Sequence, residues 1–148
     1  MAVRGGRHVL VVENNPDDAL IIQRAFRDVR TIGTCYVCRN LSEATSYLKG
    51  AGIYSDRVKY PQPDAIVSDF RLPDGTGGDL LRSFQQQDLL KGIPFCFLSG
   101  SATPTEFEKL TELKPAKIFR KPVGFTELCQ MLNTLPEILD SVKGTLEQ

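Results

Sequence analysis

The amino-acid sequence predicts an α/β protein with a doubly wound, five-stranded parallel sheet. Short apolar runs alternate five times with segments whose apolar residues recur at helical spacing. Strands and helices that alternate in this way form parallel sheets with helices on both faces. The length of 148 residues, with 41% hydrophobic and 24% charged residues, is that of one ordinary globular domain.

The five strands are predicted from apolar runs that end at polar residues. They are His8–Val12, about Thr34–Cys38, Ala65–Ser68, Phe95–Leu98 and Lys117–Phe119. A helix is expected after each strand, and for the first and fourth helices a capping residue marks the start. The helices are expected from Pro16 behind a cap at Asn15, over about Leu41–Lys49, over about Asp79–Leu89, from Thr103 or Thr105 to about Leu113, and from near Phe125.

Two connections are less regular than the rest. Leu72–Gly78 contains one Pro and three Gly, and it is predicted to be a loop. Gly50–Pro63 is rich in Gly, Tyr and Pro. This composition leaves two interpretations, an extended loop or a slightly lengthened second helix.

The domain is predicted to span residues 7–135. Pro136 should interrupt the final helix, so residues 136–148 are expected to be a C-terminal tail or the start of a linker. A DNA-binding module needs more chain than the dozen or so residues after Pro136. We therefore expect the output of this domain to be a protein–protein contact.

Charge and hydropathy exclude several classes of function. The formal net charge is zero, so no global field favours nucleic acid or an acidic membrane as a partner. The apolar runs are far shorter than the roughly 20 residues that cross a bilayer, and the run Val9–Val12 is too brief for an export signal. We expect a cytoplasmic protein with no nucleic-acid or membrane partner.

Cys35 and Cys38 form a C-x-x-C pattern, which can belong to a zinc or redox site. A zinc site needs further ligands, and the chain has a single histidine, His8. In a strand, positions three apart point to opposite faces. The favoured interpretation is therefore two reduced structural cysteines in the second strand.

Chemically matched side chains follow four of the five predicted strands. They are Glu13, Asn14, Asp69, Ser99 and Lys121. Open α/β sheets bind their ligands at the carboxyl ends of the strands, where all of these residues would meet. Asp69 could attack phosphorus and form an acyl phosphate, and an ammonium from Lys121 and a hydroxyl from Ser99 could contact phosphoryl oxygens.

The oxygens of Glu13, Asn14 and Asp69, with a main-chain carbonyl of the following loop, suit Mg²⁺. The metal would offset the repulsion between two carboxylates and an incoming phosphoryl group. Taken alone, Asp69 also fits a loop-starting residue that bonds nearby backbone, and Asn14 fits the capping turn of the first helix. The joint order of all these residues favours the site.

The chain resembles the receiver domains of two-component response regulators. The resemblance rests on Val9–Pro16, Ala65–Gly75, Leu98–Gly100 and Phe119–Pro122. It implies the flavodoxin-like strand order 2-1-3-4-5. The stretch Asn15–Asp18 and the long Gly50–Pro63 connection also resemble small stand-alone receivers that serve phytochrome-type sensor kinases.

This resemblance implies a signalling domain rather than a conventional enzyme. Asp69 would accept a phosphoryl group from a phosphohistidine of a sensor histidine kinase or phosphotransfer protein. Glu13, Asn14, Asp69 and the Arg71 carbonyl would surround Mg²⁺ or Mn²⁺, while Ser99 and Lys121 would respond to the phosphate. The further partner would be a downstream protein, and a homodimer is compatible with this assignment.

Two positions depart from the family pattern. Asn14 stands where receivers usually have a second acid, so we expect weaker Mg²⁺ binding. Ile118 stands where many receivers have the Tyr or Phe that moves inward on phosphorylation. The alternative function is therefore a pseudo-receiver that binds proteins without phosphorylation.

A flavin-binding protein or an aspartyl phosphatase on the same fold is disfavoured. The residues after the first strand are acidic rather than a phosphate cradle, and the candidate nucleophile follows the third strand.

Overall fold

A computed structural model of the protein describes residues 7–27, 32–87, 93–100 and 103–120. Five parallel strands form the central sheet: β1 (Arg7–Val12), β2 (Ile32–Cys38), β3 (Ala65–Asp69), β6 (Phe95–Ser99) and β7 (Lys117–Arg120). Two further strands, β4 (Arg71–Leu72) and β5 (Gly75–Thr76), pair as a small antiparallel hairpin. The helices are α1 (Pro16–Arg27), α2 (Leu41–Lys49), α3 (Gly77–Gln87) and α4 (Pro104–Glu112).

The order of strands across the sheet is β2-β1-β3-β6-β7. Numbered by the five sheet strands alone, this is 2-1-3-4-5, so the predicted fold class and strand order are confirmed. All neighbouring pairs are parallel. The carboxyl ends of the strands consequently lie along one edge of the sheet.

Each face of the sheet has its own apolar cluster. On one face, alternate residues of β1 and β3 pack against Ile22, Ala25 and Phe26 of α1. On the other face, the intervening residues pack against apolar side chains of α2, α3 and α4, such as Tyr47, Phe84 and Leu110. Because the sheet is covered on both sides, its central strand β3 begins with three apolar residues, and all five residues of β3 are buried.

The helices start where the sequence provides caps. The Asn15 side chain accepts hydrogen bonds from the N–H groups of Asp17 (2.9 Å) and Asp18 (3.1 Å). Asn40 caps α2, and Thr103, rather than Thr105, caps α4. These caps supply acceptors for N–H groups that have no partner inside the helix.

The segment predicted as a loop, Leu72–Gly78, is more regular than expected. The β4–β5 hairpin occupies most of it, and α3 starts at Gly77, two residues before the predicted start at Asp79. Thr76 and Asp79 explain this start, because the Asp79 carboxylate accepts from Thr76 N–H and the Thr76 hydroxyl accepts from Asp79 N–H, both at 3.0 Å. This reciprocal pair is a capping box, which begins the helix at the residue after Thr76.

The Gly50–Pro63 connection is an extended loop, not a lengthened helix. Gly50 ends α2 in the left-handed conformation (φ 66°, ψ 37°), which a glycine adopts without steric cost. A single 3-10 turn follows at Gly52–Tyr54. The Arg57 guanidinium then fixes the loop by donating to the main-chain oxygens of Tyr47 (2.8 Å), Tyr60 (3.0 Å) and Leu48 (3.1 Å).

The final predicted helix and the tail at 136–148 lie outside the described residues, so the domain boundary at 135 stays a prediction. Within the described ranges, the helices are too short and too polar for any of them to cross a lipid bilayer.

Candidate functional site

The end of β1 presents two of the predicted site residues. Glu13 is only 2% exposed, although it is charged. Its N–H donates to the Cys38 carbonyl (2.9 Å), and its carboxylate accepts from the N–H of Asn15 (3.1 Å). Asn14 is exposed to solvent, and the cap of α1 is Asn15 rather than Asn14. The fixed acid at this strand end is thus Glu13.

Asp69 is the last residue of β3 and is 8% exposed. Val12 of β1 pairs with Ser68 of β3, so Glu13 and Asp69 each follow a paired position on neighbouring strands. Such strands lie about 4.8 Å apart. The fold therefore brings two nearly buried carboxylates to one edge of the sheet.

The carbonyl of Asp69 is enclosed by small groups. The Ser68 hydroxyl donates to it at 2.9 Å. A Cβ on Gly77 would clash with this carbonyl oxygen and lie 3.0 Å from both the Ser68 hydroxyl and the Phe97 ring. The close approach of α3 to the end of β3 therefore requires glycine at position 77.

We call the β4–β5 hairpin, residues 71–76, the acceptor hairpin because it follows Asp69, the residue predicted to accept a phosphoryl group. Its turn residue Asp74 accepts hydrogen bonds from the N–H groups of Leu41 (2.7 Å) and Ser42 (2.9 Å) at the start of α2. Partial desolvation raises the pKa of Asp74, but these N–H donors outweigh it and the pKa is lowered from its usual 3.8. One side of the acceptor hairpin is thereby attached to α2.

The other side of the acceptor hairpin reaches α4. The Arg71 guanidinium contacts a carboxylate oxygen of Glu106 at 2.6 Å and lies 5.5 Å from the centre of the Phe70 ring. Glu106 also accepts from the N–H of Thr103 (2.9 Å) in the capping box of α4. The Thr103 N–H and the Arg71 charge lower the pKa of Glu106, so this carboxylate is ionised at neutral pH.

Two of the predicted site residues, Ser99 and Lys121, lie at or just beyond the edge of the described ranges. Ser99 ends β6, pairs with Arg120 of β7, and thus lies at the same sheet edge as Asp69, but its side chain is outside the described set. Lys121 follows Arg120 and lies outside the described residues. Ile118 is partly buried and packs on the face of the sheet that carries α4.

The donor set fits a small divalent cation that prefers oxygen. Glu13 and Asp69 bring two nearly buried carboxylates to this edge, and a cation bound between them would offset their negative charge. Asn14 adds an exposed amide oxygen. Among the described residues no three His, Cys, Asp or Glu side chains come together.

The two cysteines of the C-x-x-C pattern lie on opposite faces of the sheet, as predicted. Cys35 packs against the cluster that contains α1, and Cys38 belongs to the cluster that contains α2. Burial raises the pKa of each thiol to about 12. Protonated thiols on opposite faces cannot share a zinc ion, so these cysteines are structural.

The chain matches the response regulator receiver domain family over residues 9–133. This chain belongs to that family. The receiver is 27% identical over 134 residues to the two-component response regulator ARR17 of Arabidopsis thaliana, which covers 85% of each chain.

Solved receivers have the same architecture. The phosphorylated cyanobacterial phytochrome response regulator RcpA is 26% identical, with a TM-score of 0.80 over 92% of this receiver and 95% of RcpA. The Mn²⁺-bound response regulator Rcp1 is 25% identical, with a TM-score of 0.75 over 87% of this receiver and 91% of Rcp1. Phosphorylation and magnesium are typical of the family.

Three residues around the site were missed by sequence reasoning. Gly77 and Asp74 were predicted only as part of the loop, and Glu106 was given no role. Gly77 approaches the Asp69 carbonyl, Asp74 joins the acceptor hairpin to α2, and Glu106 joins it to α4. The Thr-x-x-acid pattern at Thr76 is the sequence signal that could have located the start of α3, and the same pattern at Thr103 could have decided between the two predicted starts of α4.

Proposed function

We propose that this receiver accepts a phosphoryl group on Asp69 from a phosphohistidine of a sensor histidine kinase or phosphotransfer protein. A carboxylate oxygen of Asp69 attacks phosphorus, the bond from phosphorus to the imidazole nitrogen breaks, and the released imidazole takes up a proton. The observation that carries the proposal is the nearly buried Asp69 beside Glu13 at the carboxyl edge of the sheet. Ser99 and Lys121 are assigned to contact the phosphoryl oxygens.

Mg²⁺ or Mn²⁺ is proposed as the cofactor, held by Glu13, Asn14, Asp69 and the main-chain carbonyl of Arg71. When bound, the cation neutralises charge on the carboxylates and on the incoming phosphoryl group. The Mn²⁺-bound state of Rcp1 supports this choice of metal. At contact distance one charge pair is worth about 4 kcal/mol at an effective dielectric near 20, so the neutral amide of Asn14 should weaken binding. Because Asn14 is exposed, water recovers part of this loss.

The output is proposed to be a protein–protein contact in the cytoplasm, with a homodimer as one form of it. The phosphorylated state of RcpA supports a phosphorylation-dependent role, and its phytochrome association supports a sensor kinase as the phosphoryl source. The acceptor hairpin touches both α2 and α4, so a change at Asp69 has a direct route to surface helices.

Intact-mass analysis after incubation with acetyl phosphate and Mg²⁺ tests the proposal. The wild type should gain one phosphoryl group, and Asp69→Asn should gain none. Asp64→Asn is the matched control, because Asp64 lies at the opposite end of β3, where it accepts from the N–H of His8 (2.8 Å). A gain that persists in Asp69→Asn would contradict the assignment.

The exposed amide of Asn14 favours one second candidate, a pseudo-receiver that binds its partner without phosphorylation. The Asn14→Asp variant separates the two functions. A tighter Mg²⁺ affinity by titration, together with faster phosphorylation, supports the phosphoacceptor role with a weakened metal site. If neither the wild type nor Asn14→Asp is phosphorylated by acetyl phosphate or by a phosphohistidine protein, the pseudo-receiver is correct.

A further inference from the structure

Helix α4 is attached to the domain differently at its two ends. Near its carboxyl end, Leu110 is 1% exposed, and the Leu113 carbonyl accepts from the Gln85 side chain of α3 at 3.0 Å. Gly78 of α3 lies close enough that a Cβ there would be 3.3 Å from Leu113. This end of α4 is therefore held by apolar packing and by a hydrogen bond to α3.

The amino end of α4 is held by the ion pair between Arg71 and Glu106. The two side chains are 56% and 25% exposed. Leu110 is the one buried residue described in α4, and Phe107 is half-buried, so the amino end has less apolar packing than the carboxyl end. The contact joins two segments 35 residues apart, and Arg71 is only two residues from Asp69.

We propose that Arg71 is an exchangeable tether of α4. When Asp69 is phosphorylated, the Arg71 guanidinium moves from the Glu106 carboxylate to the phosphoryl group, and the amino end of α4 is released. This inference rests on the proposed phosphorylation of Asp69. It makes Glu106 a positioning residue, which holds the guanidinium away from the phosphoryl position until the phosphoryl group arrives. The carboxyl end of α4 stays packed and acts as the pivot.

Charge and distance support the exchange. A phosphoryl group carries a charge of about −1.5 to −2 and three strong acceptor oxygens, whereas the Glu106 carboxylate carries a single charge. Two residues span at most about 7 Å, so the Arg71 side chain starts within reach of Asp69. Exposed ion pairs are individually weak, so a stronger acceptor nearby can replace one.

The exchange does not disturb the cap of α4. Glu106 keeps its hydrogen bond from the N–H of Thr103, and the Thr103 hydroxyl still accepts from the N–H of Glu106 at 3.2 Å. The helix consequently remains folded while its amino end loses a tether. The expected change is a shift in the populations of two α4 positions, not unfolding.

The Glu106→Gln variant tests the tether, because Gln preserves the capping box but removes the ion pair. Glu108→Gln is the matched control, since Glu108 is an exposed glutamate on the same helix. Without a phosphoryl donor, amide hydrogen exchange in residues 103–108 should be faster in Glu106→Gln than in the wild type. Glu108→Gln should exchange like the wild type, and adding beryllofluoride with Mg²⁺ should bring the wild type to the rate of Glu106→Gln.

Calorimetric titration measures the affinity for beryllofluoride, a phosphoryl mimic. This affinity would not change if Glu106 had only a structural role. If the mimic must displace Glu106, removing that competitor should tighten binding about twofold to fivefold, the range expected for an exposed ion pair. Arg71→Gln should instead weaken binding. Unchanged affinity in both variants, or wild-type exchange that does not respond to the mimic, would overturn the exchange.

Failure of the tether and failure of the proposed function give different results. If the wild type neither binds beryllofluoride nor gains a phosphoryl group, the proposed function and the exchange that depends on it are both wrong. The contribution of the ion pair to holding α4 is still tested by hydrogen exchange of the protein without beryllofluoride. Equal exchange rates in Glu106→Gln and the wild type would show that the ion pair does not hold α4.

Discussion

The acceptor hairpin is anchored on two sides, and the two anchors differ in chemistry. On the α2 side, both carboxylate oxygens of Asp74 accept from main-chain N–H groups, those of Leu41 (2.7 Å) and Ser42 (2.9 Å). On the α4 side, the Arg71 guanidinium contacts the Glu106 carboxylate. The Arg71 side chain is largely exposed, and the Glu106 side chain is partly exposed. One anchor uses fixed backbone donors, whereas the other uses two long, movable side chains.

This difference would allow one short hairpin to act both as a support and as a switch. N–H groups at a helix start keep their direction as long as the helix exists, so the Asp74 anchor does not depend on the state of Asp69. A guanidinium can change partner by rotation of its side chain. The hairpin should therefore remain fixed to α2 while its contact with α4 varies.

The largest expected effect comes from Gly77→Ala, which disturbs the contact between α3 and the end of β3, next to the acceptor hairpin. The new Cβ would clash with the Asp69 carbonyl, a main-chain atom that cannot move without shifting β3 or α3. Overpacking of this kind lowers the free energy of unfolding by about 2 kcal/mol. Urea denaturation should show this loss together with reduced phosphorylation at Asp69.

Gly78→Ala is the matched control for this prediction. Its Cβ would meet the end of the Leu113 side chain at 3.3 Å, and that side chain can move. Ala is favoured over Gly inside a helix by about 1 kcal/mol, so this variant should be as stable as the wild type or slightly more stable. Equal losses in both variants would show that the close approach at position 77 is not what matters.

A smaller effect is expected from Asp74→Asn, which weakens the α2 anchor alone. The amide retains one acceptor oxygen and presents N–H groups to a backbone donor, so the loss should be about 1 kcal/mol at neutral pH. The folded-state pKa of Asp74 is lowered. The stability that it contributes is therefore present above its usual pKa of 3.8 and is lost as the pH falls through its folded value.

Urea denaturation of both proteins at several pH values measures this contribution. The wild type and Asp74→Asn should converge as the pH falls below 3.8 and through the lowered folded-state pKa of Asp74, because a protonated Asp74 resembles the amide. Asp17→Asn, a change at an exposed aspartate in the first turn of α1, is the control. A difference between wild type and Asp74→Asn that does not depend on pH would contradict the role of an ionised Asp74 in the α2 anchor.

The smallest effect on stability is expected from Glu106→Gln, which removes the α4 anchor. The loss of unfolding free energy should be smaller than for Asp74→Asn, because exposed ion pairs contribute little. It should also disappear at 1 M salt, where charges are screened within about 3 Å. Thermal unfolding of wild type and variant at low and high salt measures it, and a loss that persists in high salt would mean that Glu106 acts through its cap alone.

The sheet and its strand order could be predicted from the sequence because they rest on local patterns. Each strand is built around a short apolar run, and in β3 the burial on both faces extends to Ser68 and Asp69 at its end. Predicted strand ends such as Val12 and Cys38 were correct to the residue. The positions of Glu13, Asp69 and Ser99 at one edge follow from those ends and from the parallel pairing.

The acceptor hairpin could not be predicted in the same way. Its strands have only two residues each, which is too short for any alternation of apolar and polar positions. Its stability depends on contacts distant in sequence, from Asp74 to Leu41 and from Arg71 to Glu106. Pro73 and Gly75, which are typical of turns, correctly indicated a turn. They did not indicate which residues the turn would contact.

The loop after α2 has a spectroscopic consequence. All four tyrosines of the chain, Tyr36, Tyr47, Tyr54 and Tyr60, lie in this region with ring centres 5.0 to 6.0 Å apart in the pairs in contact, and the chain has no tryptophan. Intrinsic ultraviolet fluorescence of this protein therefore reports on one corner of the domain. That corner is next to α2, so a change confined to α4 would be silent in the emission spectrum, and a signal that does change would indicate movement of the fixed anchor.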